Sequence, residues 1–111
     1  MFVIDEKLQK ADINISSSGD NTVIAAPGSG QYIAIDFISF FPTTAVTVQF
    51  KDGATSYGGA LPLDAKQTIT WENSFRNQDG VITMSNNSAF VMNLGGAIQV
   101  SGLIRYRIIG R

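Results

Sequence analysis

Alternation of apolar and polar residues with a period of two is the dominant pattern of this 111-residue chain. In the segment 46–51, Val46, Val48 and Phe50 alternate with polar residues, and Asp52-Gly53 follows as a hairpin signal. Turn signals recur about every 8–12 residues, and no helical periodicity follows the first ten residues. The pattern predicts an all-β fold, namely an antiparallel two-sheet β-sandwich or jelly roll of about eight strands.

The length corresponds to a single domain with one core. We expect residues 1–20 to form an N-terminal arm or the first strands, and residues 21–111 to form the jelly-roll domain. Near the start, Phe2, Ile4 and Leu8 are apolar. This segment is either a first strand or frayed terminus of the domain, or an arm that docks on a partner through those three side chains.

Two absences from the composition exclude many activities. The chain has no His and no Cys, so His- or Cys-based nucleophilic catalysis, zinc sites of those ligands and disulfides are excluded. No pair of carboxylates has a spacing that indicates acid–base work. The oxygen-rich segment 73–80 lacks the spaced acids of a calcium loop, and its composition is that of a turn. We therefore expect no enzyme activity, no cofactor and no metal.

The charge of the chain is almost balanced, with eight Lys+Arg against nine Asp+Glu and a net charge of −1. A protein that binds nucleic acid or an anionic membrane ordinarily presents a basic surface. We therefore expect neither partner.

The segment 31–41 is apolar on both sides of a predicted strand, which is typical of a central strand or of one that faces a partner chain. Strict alternation places Ile33, Ile35 and Phe37 on one face. The other face carries Tyr32, Ala34, Ile38 and Phe40. Asp36 interrupts this second face, and its carboxylate requires a hydrogen-bond donor or a place near the sheet margin.

The last predicted strand, 97–109, is also amphipathic. One face carries the apolar side chains Ile98, Val100, Ile104, Tyr106 and Ile108. The opposite face carries Arg105 and Arg107, which predict a solvated face or salt bridges to an acidic partner. Gly102 inside this strand predicts a bulge or a bend.

Three aromatic residues near the middle of the chain offer a second interpretation. Trp71, Tyr57 and Phe75 could form a platform on which a sugar ring stacks. The alternative is that Trp71, in register with Ile69, is an ordinary core residue.

Four segments carry a resemblance to a known family. They read Ile-Ala-Ile-Asp-Phe at 33–37, Ala-Val-Thr-Val-Gln-Phe-Lys-Asp-Gly at 45–53, Gly-Gly-Ala-Leu-Pro-Leu at 58–63 and Ala-Ile-Gln-Val-Ser-Gly-Leu-Ile-Arg-Tyr at 97–106. In this order the chain resembles the capsid decoration (cement or staple) proteins of tailed phages. It looks closest to the staple proteins of the epsilon-fifteen-like podoviruses.

The resemblance implies a jelly-roll domain on the outer surface of an icosahedral head, made in the host cytoplasm and incorporated into the virion. The implied partners are the major capsid protein and a second copy of the chain in a homodimer. The candidate surface for self-association or capsid contact consists of Tyr32, Ala34, Ile38 and Phe40, together with Arg105 and Arg107. The alternative function is a carbohydrate-binding β-sandwich module of a fibre or a cell surface.

Overall fold

The computed structural model describes residues 3–4, 7–74 and 78–110, with Val3 and Ile4 described by their backbone alone. In chain order its strands are β1 (Val3–Ile4), β2 (Gln9–Ile15), β3 (Gly19–Ile24), β4 (Gln31–Pro42), β5 (Val46–Asp52), β6 (Thr55–Ser56), β7 (Leu61–Leu63), β8 (Ile69–Glu72), β9 (Ile82–Thr83), β10 (Phe90–Leu94) and β11 (Val100–Gly110). Within these ranges, no helix has the length and apolar character needed to cross a membrane.

The strands form two antiparallel sheets. Sheet A has the order β2–β11–β4–β8, with β1 also beside β11 and β9 also beside β4. Sheet B has the order β3–β10–β5, and both β6 and β7 pair with β5. Apart from the two-residue strands β1, β6 and β9, eight strands remain, and consecutive ones lie in opposite sheets except for β5 and β7. Each sheet therefore interleaves early and late strands, which is the winding of a jelly roll. The predicted all-β jelly-roll class is confirmed.

The N-terminal strands are paired within the sandwich. Gln9–Ile15 pairs with β11 along its whole length, and Gly19–Ile24 pairs with β10. Val3–Ile4 pairs with the last residues of β11. The division predicted near residue 20 therefore falls inside β3.

Aromatic rings fill the space between the sheets around Phe50 of β5. The centroid of the Phe50 ring lies 5.8 Å from that of Phe40, 5.5 Å from that of Phe90 and 5.3 Å from that of Trp71. Phe40 and Phe90 are at most 1% exposed. Edge-to-face pairs of this kind add to the stabilisation that burial of the rings provides. Because Phe50 belongs to sheet B while Phe40 and Trp71 belong to sheet A, the cluster joins the two sheets.

A β-bulge in β4 corrects the faces predicted for that strand. Arg105 pairs with Phe37 and Tyr106 with Ile35, so Asp36 is an extra residue in β4. The bulge shifts the alternation by one position, and Ile38 therefore faces the core together with Ile35. The prediction that Tyr32, Ala34, Ile38 and Phe40 share one face is wrong, since Ile38 and Phe40 are core residues. Phe37, expected beside Ile35, lies on the outer face instead.

Gly102 has a different structural role from the predicted one. The pairing of β11 with β4 is continuous at Gly102, and the register shift lies between Arg105 and Tyr106. A Cβ atom on Gly102 would overlap the carbonyl oxygen of Ser39 and lie 2.7 Å from the Cα of Phe40. The glycine therefore permits a close approach of the two central backbones.

We expect Gly102→Ala to lower the free energy of unfolding by at least about 2 kcal/mol, because the added methyl group meets backbone atoms that cannot move independently. Gly59→Ala is the matched control, since a Cβ atom there has no neighbour within 4 Å. Urea denaturation of both variants measures the difference. Equal stability of the two variants would contradict the close approach.

Candidate interaction surface

The outer face of sheet A, which points away from sheet B, is built by four strands in register. Residues paired across antiparallel strands place their side chains on the same face. The outward positions on these strands are Lys10, Asp12 and Asn14 of β2, Ser101, Leu103 and Arg105 of β11, Phe37, Ser39 and Phe41 of β4, and Thr70 and Glu72 of β8.

An apolar strip, made of Phe37, Phe41 and Leu103, runs along the middle of this outer face. Phe41 is 39% exposed, and the side chains of Phe37 and Leu103 are half-buried. Beside them, the hydroxyl groups of Ser39 and Thr70 are hydrogen-bonded at 2.9 Å. An exposed apolar group surrounded by polar residues is typical of a protein-contact surface.

Charged residues border the apolar strip. On β2, the Nζ atom of Lys10 lies 3.8 Å from a carboxylate oxygen of Asp12, and both side chains are exposed to solvent. Glu72 of β8 is exposed on the opposite side of the strip. Between them, the Nε atom of Arg105 is buried and has no hydrogen-bond partner within the described residues. A buried donor without an acceptor is costly, and this cost is already present in the isolated chain.

A network of hydrogen bonds around Asp36 closes one end of the outer face. The Nε of Arg107 donates to one carboxylate oxygen of Asp36 at 2.6 Å, and its terminal nitrogen donates to the other at 2.9 Å. The same terminal nitrogen donates to the carbonyl of Gln78 at 2.8 Å, and the amide of Asn73 donates to Asp36 at 3.0 Å. Asp36 thus has the donors that its place in an apolar strand requires.

Burial by itself raises the pKa of the Asp36 carboxyl. Hydrogen bonds from Arg107 and Asn73 outweigh that effect and, with the charge of Arg107, hold the pKa below its ordinary value of 3.8. The ion pair is half-buried, with 15% of the Arg107 side chain and 19% of the Asp36 side chain exposed. Its contribution should therefore exceed that of a surface pair such as Lys10–Asp12.

The structure separates the residues of the predicted self-association surface. Arg105 and Arg107 lie on the outer face, as expected, but Ala34 is fully buried and the hydroxyl of Tyr32 donates to Asp79 at 2.6 Å. Ile38 and Phe40 point into the core and are closed to any partner. The accessible apolar residues are instead those of the apolar strip.

The predicted arm lies partly outside the described residues. Phe2 is not among them, and only the backbone of Ile4 is described, paired with Ile109. Leu8 is 43% exposed. The docking role of these three residues stays a prediction.

The predicted sugar platform is only partly described, since Phe75 lies outside the described residues. Trp71 packs on Phe50 on the core side of β8, although 37% of the residue is exposed. Tyr57 is half-buried against the core, and its hydroxyl accepts a hydrogen bond of 3.3 Å from the backbone nitrogen of Thr83. Both residues therefore contribute to the packing of the sandwich.

A separate cavity of about 350 Å³ lies near the start of β4. Its walls combine one aromatic ring with several polar groups and a thioether. The lining residues are Gly30, Tyr32, Asp79, Thr83, Met84 and Asn86. This volume lies in the range of small-molecule sites.

Sequence reasoning identified Arg105 and Arg107 but missed the apolar residues of the outer face and its acidic edge. Phe37 was expected on the opposite side of β4, while Phe41, Leu103 and Glu72 were given no role. One signal was present, because a carboxylate in the middle of an apolar strand, here Asp36, is compatible with a bulge that reverses the faces. The position of the shift depends on the pairing with β11 and has no local signature.

No protein-family model and no curated protein matches the sequence. Among solved structures, the chain is similar to one from the disulfide-linked pili of Bacillus endospore appendages, with 15% identity and a TM-score of 0.48, over 99% of this chain and 89% of that one. It is also similar to the Tobacco streak virus coat protein, with 11% identity and a TM-score of 0.39, over 98% of this chain and 90% of that one. At these scores neither likeness assigns a function to the chain.

We expect Arg107→Met to lower the free energy of unfolding at neutral pH by about 1–3 kcal/mol, because it leaves the half-buried Asp36 carboxylate without its cation. The folded pKa of Asp36 is below its unfolded value. The contribution of the pair is therefore complete above about pH 4 and is lost as the pH falls through the folded pKa. Urea denaturation at neutral pH and at progressively lower pH should show the stability difference shrinking.

Lys10→Met provides the control for that experiment, since it removes a cation from the exposed pair with Asp12. Its effect should stay below about 0.5 kcal/mol. Similar losses of unfolding free energy for the two variants would show that the Asp36–Arg107 pair contributes no more stability than an exposed pair.

Proposed function

We propose that this chain is a non-enzymatic structural protein, namely a decoration protein that binds the outer surface of a tailed-phage head and staples neighbouring major capsid proteins. The observation that carries the proposal is the outer face of sheet A, with its apolar strip of Phe37, Phe41 and Leu103. No other part of the described chain packs over Phe41, which remains 39% exposed. The sequence resemblance to decoration proteins supports the same assignment and its finer form, a staple of the epsilon-fifteen-like type.

A jelly roll is suited to stapling, because this task requires only a stable shape and a complementary surface. A protein that binds the assembled shell, and not its separated subunits, stabilises the assembled state by mass action. Repetition of the contact over the whole shell multiplies the effect. This role requires no cofactor and no reactive side chain.

A staple has to contact more than one neighbour, so we propose at least two contact regions. The outer face of sheet A is one of them. The N-terminal segment with Phe2, Ile4 and Leu8 is the other, and it contacts the major capsid protein. The exposure of Leu8 at 43% supports this division.

Purified protein added to expanded capsids that lack a decoration protein should sediment with them, reach saturation and raise the temperature at which the capsids disrupt. Deletion of residues 1–8, which removes β1 and leaves β2 intact, should weaken binding at least about tenfold through the loss of buried apolar surface, with circular dichroism to establish that the variant is folded. Quantified co-sedimentation and differential scanning calorimetry of the capsids measure both effects.

Thr55→Ala is a control for this experiment, because Thr55 is exposed on β6 in the opposite sheet, away from both proposed contact regions. Absence of saturable binding at any concentration would reject the decoration function. Unchanged binding after the deletion would reject the arm alone.

The cavity near the start of β4 favours a second candidate function, carbohydrate binding. Tyr32 offers an aromatic ring, and Asp79, Thr83 and Asn86 offer polar groups, around a volume that admits a monosaccharide unit. Aromatic rings combined with carboxylate and amide groups match the alternating apolar and hydroxyl surfaces of a sugar. This site is distinct from the platform of Trp71 and Tyr57.

If the cavity binds sugar, Asp79→Asn should weaken glycan binding at least about tenfold, because the amide keeps the shape but loses charged acceptor atoms. Trp71→Ala should leave the affinity unchanged when the variant is folded. A glycan array followed by titration calorimetry tests both variants. A silent array, or a loss confined to Trp71→Ala, would reject the cavity as the sugar site.

A further inference from the structure

Strand β2 has a neighbouring strand on one side only. It pairs with β11 from Gln9 to Ile15 without a register shift, and no other strand of the described chain pairs with it. Its seven residues give the free side a length of roughly 23 Å. An open strand edge of this length is a template on which another extended chain can pair.

The hydrogen bonds of sheet A fix which backbone groups lie on the free side of β2. The amide of Thr43 donates to the carbonyl of Gln99, which precedes β11, at 3.0 Å. In an antiparallel ladder the bonded pairs alternate, so odd-numbered residues of β11 bond to β4 and even-numbered ones bond to β2. The residues of β2 that lie opposite those even positions are Gln9, Ala11, Ile13 and Ile15.

The three remaining residues of β2 direct their N–H and C=O groups away from β11, and we call these groups the β2 edge. They belong to Lys10, Asp12 and Asn14. Within the described residues no side chain is hydrogen-bonded to them. The amide oxygen of Asn14 instead accepts from Gln99 at 2.7 Å, and the Lys10 and Asp12 side chains lie beside each other. The polar groups of the β2 edge are therefore accessible to a partner strand.

The other edge strands are protected in ways that β2 is not. Strand β3 has a bulge in its pairing with β10, and β7 has three residues, one of them Pro62. Strand β8 has four residues, and its carbonyl at Glu72 accepts a hydrogen bond from the amide of Ser74. Proline, bulges and short length are the usual protections of a strand edge against pairing. Of the described edge strands, β2 is the longest, and it has neither a proline nor a bulge.

We propose that the β2 edge binds an extended segment of the major capsid protein, which joins sheet A as an additional antiparallel strand. Every strand pair of sheet A is antiparallel, and an antiparallel addition continues that pattern. The added strand also extends the outer face of sheet A, so the two contacts with the shell are continuous. The inference rests on the proposed function, since it names the kind of shell segment that is bound.

The side chains of β2 define the composition of the bound segment. On the inner side, Ala11 and Ile15 are only half-buried, so apolar side chains placed beside them bury further apolar surface. On the outer side, an acid opposite Lys10 and a base opposite Asp12 form favourable cross-strand pairs. From its N-terminus, the antiparallel segment therefore has apolar residues at alternate positions, with a basic residue between two of them and an acidic residue two positions later.

Amide hydrogen exchange tests this site one residue at a time. In the isolated protein, the N–H groups of Lys10, Asp12 and Asn14 should exchange fast, whereas those of Ala11 and Ile13 are protected by bonds to β11. On expanded capsids the exchange of the first three should slow at least about tenfold, and that of the other two should change little. Quenched exchange on the capsids, followed by release and NMR of the protein, measures both patterns.

A proline substitution tests the same site through binding. Asp12→Pro removes one outward N–H group and places a ring on the free side of β2, but it spares the bonds to β11, so the variant should fold. It should weaken co-sedimentation with capsids at least about tenfold. Asp12→Asn is the matched control, because it removes the same charge and keeps the N–H group, and its loss of affinity should stay below about threefold. Circular dichroism establishes that both variants are folded.

The outcomes separate this inference from the decoration function. Capsid binding without slower exchange at Lys10, Asp12 and Asn14, or equal binding by Asp12→Pro and Asp12→Asn, would overturn the inference alone. Protection of these amides that increases with the concentration of the isolated protein would assign the β2 edge to a second copy of the chain, and it would also overturn the inference. A protein that never binds capsids would overturn both.

Discussion

The antiparallel ladder between β4 and β11 is the element on which the rest of the structure depends. It pairs Gln31 with Gly110 at one end and Pro42 with Val100 at the other. Every other strand of sheet A pairs with one of these two, β1 and β2 with β11, and β8 and β9 with β4. The inner side of the ladder provides buried isoleucines to the core, and its outer side provides the apolar strip. The core and the proposed contact surface are therefore two faces of the same pair of strands.

The bulge at Asp36 sets which side chains of β4 face the core and which lie on the outer face of sheet A. Without it, strict alternation would direct Ile38 and Phe40 outward and Phe37 inward. Because of the extra residue, Ile33 and Ile35 before the bulge and Ile38 and Phe40 after it all face the core. Asp36 contacts Arg107 and Asn73 on the other side of the strand. A half-buried carboxylate is costly without a cation, and the ion pair with Arg107 compensates for it. Arg107 also donates a hydrogen bond to the carbonyl oxygen of Gln78, which connects the segment after β8 to the central strands.

The assembly role that we propose suits this arrangement. The chain has few charges for its size, and much of its exposed polar surface consists of Ser, Thr, Asn and Gln, which lose less hydration energy on docking than charged groups do. Within the described residues, Lys10 and Asp12 lie on one side of the apolar strip and Glu72 lies on the other. Such an arrangement resembles a polar rim around an interface core. In the contact that we propose, the few charges would set the orientation, and the apolar strip would provide most of the affinity.

The sequence predicted some elements of this fold well and others poorly. In β5, the alternation of Val46, Val48 and Phe50 correctly identified the buried face, because the strand is regular over its whole length. In β4 the same reasoning put Ile38 and Phe40 on the wrong face, because a bulge is a property of two paired strands. A glycine inside a strand predicts an irregular position, but Gly102 lies in regular pairing and lets β4 approach closely.

What the sequence determined by itself was the all-β class, the absence of His and Cys chemistry and most of the core, since each depends on composition or on local periodicity. Only the tertiary structure decided which residues form the outer face of sheet A. Lys10, Phe37, Glu72 and Arg105 come from four strands that are far apart in the chain. Their alignment depends on strand order, on register and on one bulge. These are set by the packing of the two sheets against each other, and no local pattern of residues encodes them.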